Sequence, residues 1–585
     1  MKNITMLAAV AGSLLLSACA GWSTLTTTDE PAKLHALFDA QWQRELQENP
    51  VTASLYGDRR YNDRWGQLTL TAIEASHQAD QADLEAARRI DRNALAPADQ
   101  LNLDLFIDQM QQRIQAHPFA QYLIPLNQRG GIQTLDELAG RLRFSDEQDY
   151  ADWNARLAAL PNYIDQHIAI MRTGIARGIV PPQVIMERVP AQIEKQLVED
   201  AEDSGFYAPY RQTDSSSAQA AEARNLIQTG ILPAYQRFAR FFNEEYLPAC
   251  HETVGAWALP NGRAFYDYRV AHYTTTTLSA DEIHQIGLDE VARIRSLMDE
   301  VIAEVQFDGS FEEFLHFLRT DPQFYFETGE EILREYRNIA KRIDPELVKL
   351  FGKLPRMPYG VKAIPAASAP DTTTAYYFPP AADGSRAGYF YANLYRPEVR
   401  PKYEMEALTV HEAMPGHHLQ IALAQELGDL PEFRRFNGYT AFVEGWGLYS
   451  ESLGDELGLY TDPYSRFGQL TYEMWRAVRL VVDTGLHAKG WSRQQAIDYF
   501  KANAGKAEHD IINEIDRYIA WPGQALAYKI GELKIQALRR EAEQALDEQF
   551  DIRGFHDTVL GAGAIPLNLL ERNVRAWIEQ KQTQP

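Results

Sequence analysis

A chain of 585 residues is longer than one hydrophobic core supports, so two lobes or more are expected. With 45% hydrophobic and 24% charged residues, its composition is that of a globular protein and excludes disorder as the dominant state. A formal charge of -24 repels polyphosphate backbones and anionic lipid alike. Nucleic acid is thereby excluded as a partner, and any hold on a membrane must come from an anchor rather than a basic patch.

The N-terminus supplies a candidate anchor. Lys2 is followed by an apolar run over 4–16 and then by Leu16-Ser17-Ala18-Cys19. A positive start, a short apolar stretch and small residues before a cut describe a secretory signal, here residues 1–18. The run is shorter than the roughly 20 residues of a membrane-spanning helix. Leu-Ser-Ala-Cys resembles a bacterial lipobox, which implies cleavage before Cys19, a lipid on its sulfur and a bacterial membrane as partner. In such proteins an Asp after the Cys marks retention at the inner membrane. Ala20 and Gly21 stand here instead, so the expected location is the outer membrane, facing the periplasm. With Cys19 lipidated only Cys250 remains, and no disulfide can form within the chain.

Beyond the leader, most of the chain reads as helix. Segments 32–47 and 72–90 carry apolar residues at threes and fours among charges. Ser279-Ala-Asp-Glu282 is a capping-box pattern that opens an amphipathic stretch over 283–305. Residues 204–217, with three consecutive serines, read as a loop, and a lobe boundary is placed between 247 and 260. Segment 357–397 is different, being rich in Pro, Gly, Thr and Tyr. In Gly388-Tyr-Phe-Tyr-Ala-Asn-Leu-Tyr395 the residues Tyr389, Tyr391, Asn393 and Tyr395 alternate with Phe390, Ala392 and Leu394, the period of a strand. A small sheet at this point is either a wall for an extended peptide or a structural hairpin.

The segment richest in chemistry is His411-Glu412-Ala-Met-Pro415-Gly416-His417-His418. Zinc hydrolases with an HExxH helix place two imidazoles one turn apart on a single ion, with the Glu aimed at the bound water. Here the second His comes six residues after the first, which on an unbroken helix turns it about 120° away. Pro415-Gly416 offers the remedy. Proline removes a helical hydrogen bond and glycine tolerates unusual dihedrals, so a local bulge is expected to bring His417 beside His411, with His418 as the fallback ligand.

His-Glu-x-x-Pro-Gly-His-x-x-Gln, ending at Gln420, resembles the bacterial family catalogued as domain of unknown function 885. So do Glu444-Gly-Trp-Gly-Leu-Tyr-Ser-Glu451, Arg517-Tyr518 and Pro522-Gly-Gln-Ala-Leu-Ala-Tyr528-Lys-Ile-Gly531. The resemblance covers nearly the whole mature chain. It implies a mostly helical zinc metallopeptidase with a small sheet, distantly similar to thimet-oligopeptidase-like and Taq-carboxypeptidase-like enzymes, whose third zinc ligand is a Glu on a later helix.

The residues around Glu444 taken alone read as a Glu without a ligand role, and it is the His cluster and the resemblance that make it the expected third ligand. A catalytic zinc takes three protein ligands and leaves one position open. Gly445 and Gly447, each costing roughly 1 kcal/mol inside a helix, suit a helix pressed against another backbone. Glu451, two turns on, is expected to orient a ligand His. Glu412 is the expected general base. Tyr528, and after it Tyr518, is the candidate donor to the developing oxyanion. Asp483 and His487, four apart on a helix read over 476–487, form either a second proton-handling pair or a packed polar pair.

The expected fold is mainly α: a large multi-helix, two-lobed chain with a small β-sheet next to the metal-binding helix. Residues 19–250 form a helical lobe and 251–585 the metal-binding, catalytic lobe. The expected activity is hydrolysis of peptide or other amide bonds with one zinc ion held by His411, His417 and Glu444. Catalysis then involves Glu412, Tyr528 and His487. The rival readings are a deacylase acting on a conjugate and a binding lipoprotein without chemistry.

Overall fold

The computed structural model describes residues 29–583 except 212–216, 367–368, 370–372, 381–383, 385, 429, 437 and 507. The leader, Cys19 and part of the serine-rich loop lie outside the described residues. The fold is mainly α with one small sheet, and no described helix is long and apolar enough to cross a membrane.

Local sequence dictates most helix ends. The segments read at 32–47 and 72–90 form helices Glu30–Glu48 and Leu70–Arg88, whose N-caps Asp29 and Thr69 accept from the backbone N–H groups of Ala32 and Ala72. The longest helix, α1 (Glu147–Arg177), is opened by a reciprocal capping box between Asp146 and Asp149. The box read at Ser279 and Glu282 likewise opens α2 (Ala280–Glu304).

The hydrophobic interior consists of two clusters, and neither respects a boundary near residue 250. One joins Leu157, Ile164 and Phe238 to Met298, Val478 and Ile515. The other joins Leu34, Phe38 and Phe106 to Leu408, Trp446 and Leu538. The expected division at 250 is therefore corrected. The first helices pack on one another and, through Phe38 and Phe106, on Phe433, which joins them to the same cluster as Trp446 and Leu538.

The sheet consists of β1 (Tyr359–Ala363), β2 (Ala375–Phe378) and β3 (Gly388–Ala392) in the order β1-β3-β2. β3 runs parallel to β1, with Tyr359 opposite Gly388, and antiparallel to β2, with Ala375 opposite Ala392. Phe390 and Ala392 are fully buried while Tyr389 and Tyr391 are half-buried, the alternation read from the sequence. The strand ends at Ala392, earlier than the period suggested. There the Asn393 side chain turns back to donate to the Ala369 and Thr373 carbonyls.

The sheet leads into α3 (Met405–Glu412) and α4 (His417–Gln425). These are followed by α5 (Thr440–Ser452), α6 (Pro463–Ala488), α7 (Glu508–Ala520) and α8 (Ala527–Leu546). α6 is buried along most of its length and packs along α2, while α5 packs along α8. At the α5–α8 crossing two glycines meet. A Cβ on Gly445 would stand 2.5 Å from the Gly531 Cα, and one on Gly531 would stand 1.9 Å from the Ala441 carbonyl oxygen. Gly531→Ala is therefore expected to destabilise the protein by about 2–3 kcal/mol, the scale of forced overpacking. Urea unfolding checks this. An unchanged midpoint would mean that the crossing can relax.

Candidate metal centre

The backbone between His411 and His417 is broken rather than bulged. α3 stops at Glu412, Ala413 takes the non-helical φ -109°, ψ -110°, and α4 restarts at His417. The Gly416 N–H donates back to the Val410 carbonyl at 2.9 Å. A Cβ on Gly416 would lie 2.0 Å from the His411 carbonyl oxygen, so only glycine fits this turn. Trp446 of α5 clamps it by donating from Nε1 to the Pro415 carbonyl at 2.8 Å. The expected bulge is thus corrected to a turn between two helices, with the same effect on the side chains: the two imidazoles stand edge to face, centroids 4.6 Å apart.

α5 brings Glu444 to both rings. Its Oε2 lies 3.6 Å from His411 Nε2 and 3.6 Å from His417 Nε2, and one ligand atom from each of the three residues lies within 4.8 Å of the other two. Gly447, one turn on from Glu444, leaves room for the His411 ring, which would stand 2.7 Å from a Cβ there. Behind that ring, His411 Nδ1 and Glu451 Oε1 are 2.8 Å apart, Glu451 being fully buried. Arg476 of α6 backs the same oxygen at 3.5 Å. The carboxylate fixes the tautomer and leaves Nε2 facing Glu444.

This geometry suits zinc. Ligands about 2.0–2.1 Å from a tetrahedral ion stand about 3.3 Å from one another, close to the 3.6 Å between Glu444 and each imidazole, and two imidazoles with one carboxylate make up a catalytic donor set. Electrostatics agree. Burial works against the Glu444 carboxylate, but the hydrogen bond with His411 and the charges of His417, His411 and Arg517 hold it at about 2. Burial drives His417 down to about 4, a neutral ring with a lone pair to share. Burial opposes charge on His411 too, yet Glu444 and Glu451 raise it to about 10, a proton that an ion would displace.

Glu412 follows His411 directly, and among the described residues its carboxylate takes no hydrogen bond or ion pair. Burial raises it to about 7, against the lowering pull of His411. Toward the start of α3, Leu408 helps line a cavity of about 130 Å³ with Tyr336, Tyr472, Arg400 and Thr374, the residue just before β2. The other edge of β2 pairs with no strand among the described residues.

His418 turns away from the cluster. Its Nδ1 meets the Tyr377 hydroxyl at 2.8 Å and its Nε2 the Met357 carbonyl at 3.0 Å, so both nitrogens serve the sheet. His487 does not join the site either, which corrects its catalytic assignment. It is fully buried, its Nδ1 accepts from the Ala256 N–H and its Nε2 faces the Tyr518 carbonyl at 3.0 Å, leaving no nitrogen for proton transfer. Asp483 is a tether of the same kind, accepting from the Tyr266 hydroxyl at 2.6 Å and from the Gly523 N–H. Tyr518 is occupied too, its hydroxyl accepting from Trp475 and Arg479 and donating to Glu514.

Tyr528 stands on α8 one turn before Gly531, and its hydroxyl oxygen accepts from Arg517 at 3.2 Å, which leaves its own proton to donate elsewhere. Sequence reasoning missed Arg476, whose charge reaches Glu412, His417 and Glu451. A buried Arg four residues before Leu480 on an apolar helix was the available signal, since such a charge needs a buried carboxylate.

Among curated proteins none matches this chain. The chain is similar to a structure described as "the putative lipoprotein from Colwellia psychrerythraea", with 30% identity, a TM-score of 0.88, and coverage of 94% of this chain and 99% of that one. It shares its fold with "a putative lipoprotein of unknown function from Shewanella oneidensis", with 16% identity, a TM-score of 0.73, and coverage of 93% and 99%. The model of the family described as "Bacterial protein of unknown function (DUF885)" matches residues 50–574, and the chain belongs to that family.

Proposed function

We propose that the protein is a zinc-dependent hydrolase of peptide or related amide bonds, held on a bacterial membrane by a lipid on Cys19. The observation that carries the reading is the convergence of His411, His417 and Glu444 within 4.8 Å, with an unpaired Glu412 beside them. When bound there, zinc would supply a Lewis acid and lower the pKa of a water molecule. His411, His417 and Glu444 would hold it, and Glu451 would keep the His411 ring in the required tautomer. Glu412 takes the proton of the attacking water at its carboxylate and delivers it to the departing amine. Tyr528, its oxygen already accepting from Arg517, donates its hydroxyl proton toward the carbonyl oxygen as charge builds there. The unpaired edge of β2, close to the cavity beside Leu408, suits the backbone of an extended substrate.

The test is metal analysis of purified protein combined with mass-spectrometric digestion of a mixed peptide library, with and without chelator. About one zinc per chain and chelator-sensitive new termini are expected. Cleavage that persists without metal would overturn the reading.

The anchor rests on Leu16-Ser-Ala-Cys19 and on the lipoprotein descriptions of both similar structures. Ala20 and Gly21 point to the outer membrane. Wild-type protein should incorporate labelled palmitate and sediment with membranes, and Cys19→Ser should do neither. An unlabelled wild type would remove the anchor and leave the hydrolase reading intact.

A further inference from the structure

In a chain of net charge -24, three arginines gather around Tyr528 beside the metal ligands. Arg479 on α6 lies one turn beyond Arg476, its guanidinium 4.2 Å from the centre of the Tyr528 ring. Arg517 on α7 donates to the Tyr528 hydroxyl and to Gln524 Oε1. Both arginines share a single oxygen of Glu514, at 3.0 Å from Arg479 Nη2 and 3.6 Å from Arg517 Nη1. Arg129 enters from the N-terminal half, at the tip of a turn closed by Asn127 and Gly130. That turn is fastened to α7, where Gln128 Nε2 donates to the Asp516 carbonyl at 3.2 Å.

Arg479 and Arg517 thus share one carboxylate, and Arg129 is near enough to feel the charges of Arg517 and Glu514. The balance of donors is also unfilled: Arg479 Nη1 and Arg517 Nε are buried without a partner, although the Arg479 side chain is only 3% exposed. The Arg129 guanidinium has no ion pair among the described residues. Partial desolvation first, and the Arg517 charge second, hold its pKa below the usual value, as like charges pressed together require. Glu514 holds the charges of Arg479 and Arg517, but one carboxylate does not neutralise three guanidiniums, and an anion would complete the balance. The site is close to the metal ligands: Tyr528 stands one turn from Gly531, which touches Gly445 next to Glu444, and the Arg517 charge is felt by Glu444 itself.

We propose that Arg129, Arg479 and Arg517 form a pocket for a substrate carboxylate, so that the enzyme cuts peptides within one or two residues of a free C-terminus. The assignment rests on the metal-hydrolase reading above and names its substrate class. Guanidinium groups bind a carboxylate in two parallel hydrogen bonds, which fixes orientation as well as position. With the terminal carboxylate held beside Tyr528, the amide next to it lies toward Glu444 and Glu412. An amidated terminus offers the pocket no charge and leaves its donors unfilled.

The experiment compares an N-acetylated tetrapeptide with its C-terminal amide, using the zinc-loaded full chain. The free acid should be cut with a kcat/KM at least about 10²-fold above that of the amide, as expected when buried polar groups are left unpaired by the wrong substrate. Arg517→Ala risks misfolding because Arg517 is largely buried, so Arg129→Ala, at an exposed turn, is the second variant. It should narrow the acid-over-amide ratio about tenfold. Equal cleavage of acid and amide, abolished by chelator, would overturn the pocket and leave the hydrolase standing. If neither peptide is cut, calorimetric titration of both into the zinc-loaded chain decides. Binding of the acid at least tenfold tighter than the amide upholds the pocket, and equal or undetectable binding removes it.

Discussion

Glu412→Gln is expected to keep zinc and fold while losing at least about 10²-fold in amide hydrolysis, the scale of general-base assistance. The substitution preserves size and removes the proton acceptor. Nothing in the fold depends on the charge, since among the described residues the carboxylate makes no hydrogen bond or ion pair. It is instead a destabilising group, because burial drives its pKa upward to about 7. Neutralising it should therefore leave stability equal or higher, as for other residues kept for chemistry at a cost to the fold. The measurements are zinc content, thermal midpoint and kcat on a peptide that chelator-treated wild type cannot cut. Unchanged turnover in the variant would remove Glu412 from the mechanism.

The ligand set makes the second large prediction. Replacing His411, His417 or Glu444 with Ala should empty the site in each case. Two remaining donors do not satisfy an ion that takes three protein ligands, and the apparent binding energy of zinc sites, about 10–16 kcal/mol, falls steeply as ligands are removed. His418→Ala should retain most of the metal, since both its nitrogens are bound to Tyr377 and Met357. Its cost should fall on the sheet that those bonds steady. Metal analysis after dialysis separates these outcomes. A His418→Ala protein stripped of zinc beside a His417→Ala protein that holds it would mean that the turn at Pro415-Gly416 presents the other ring.

Much of this was legible in the sequence because it is local. A capping box is a matter of four residues, so Ser279 and Glu282 announced the start of α2. The alternation of Tyr389, Phe390, Tyr391 and Ala392 announced a strand with one buried face. The spacing of His411, Glu412, Pro415, Gly416 and His417 announced an interruption that brings two imidazoles together, and Gly445 announced a helix pressed onto another backbone. In each case the deciding interactions lie within one turn, or glycine is the only residue that fits.

What the sequence alone could not decide were the pairings across distance. Nothing local separates His417 from His418; the choice was made by Met357 and Tyr377, which claim both nitrogens of the second ring. Nothing near His487 shows that the Ala256 N–H and the Tyr518 carbonyl would occupy it, and a polar pair four residues apart reads the same whether it handles protons or ties helices together. The lobe boundary near 250 failed for the same reason, since apolar periodicity shows that a helix has a face to bury but not which distant helix will cover it. The arginine pocket is the extreme case. Arg129, Arg479 and Arg517 are ordinary in sequence, and only the packing of α6, α7 and a turn from the N-terminal half gathers them around Tyr528.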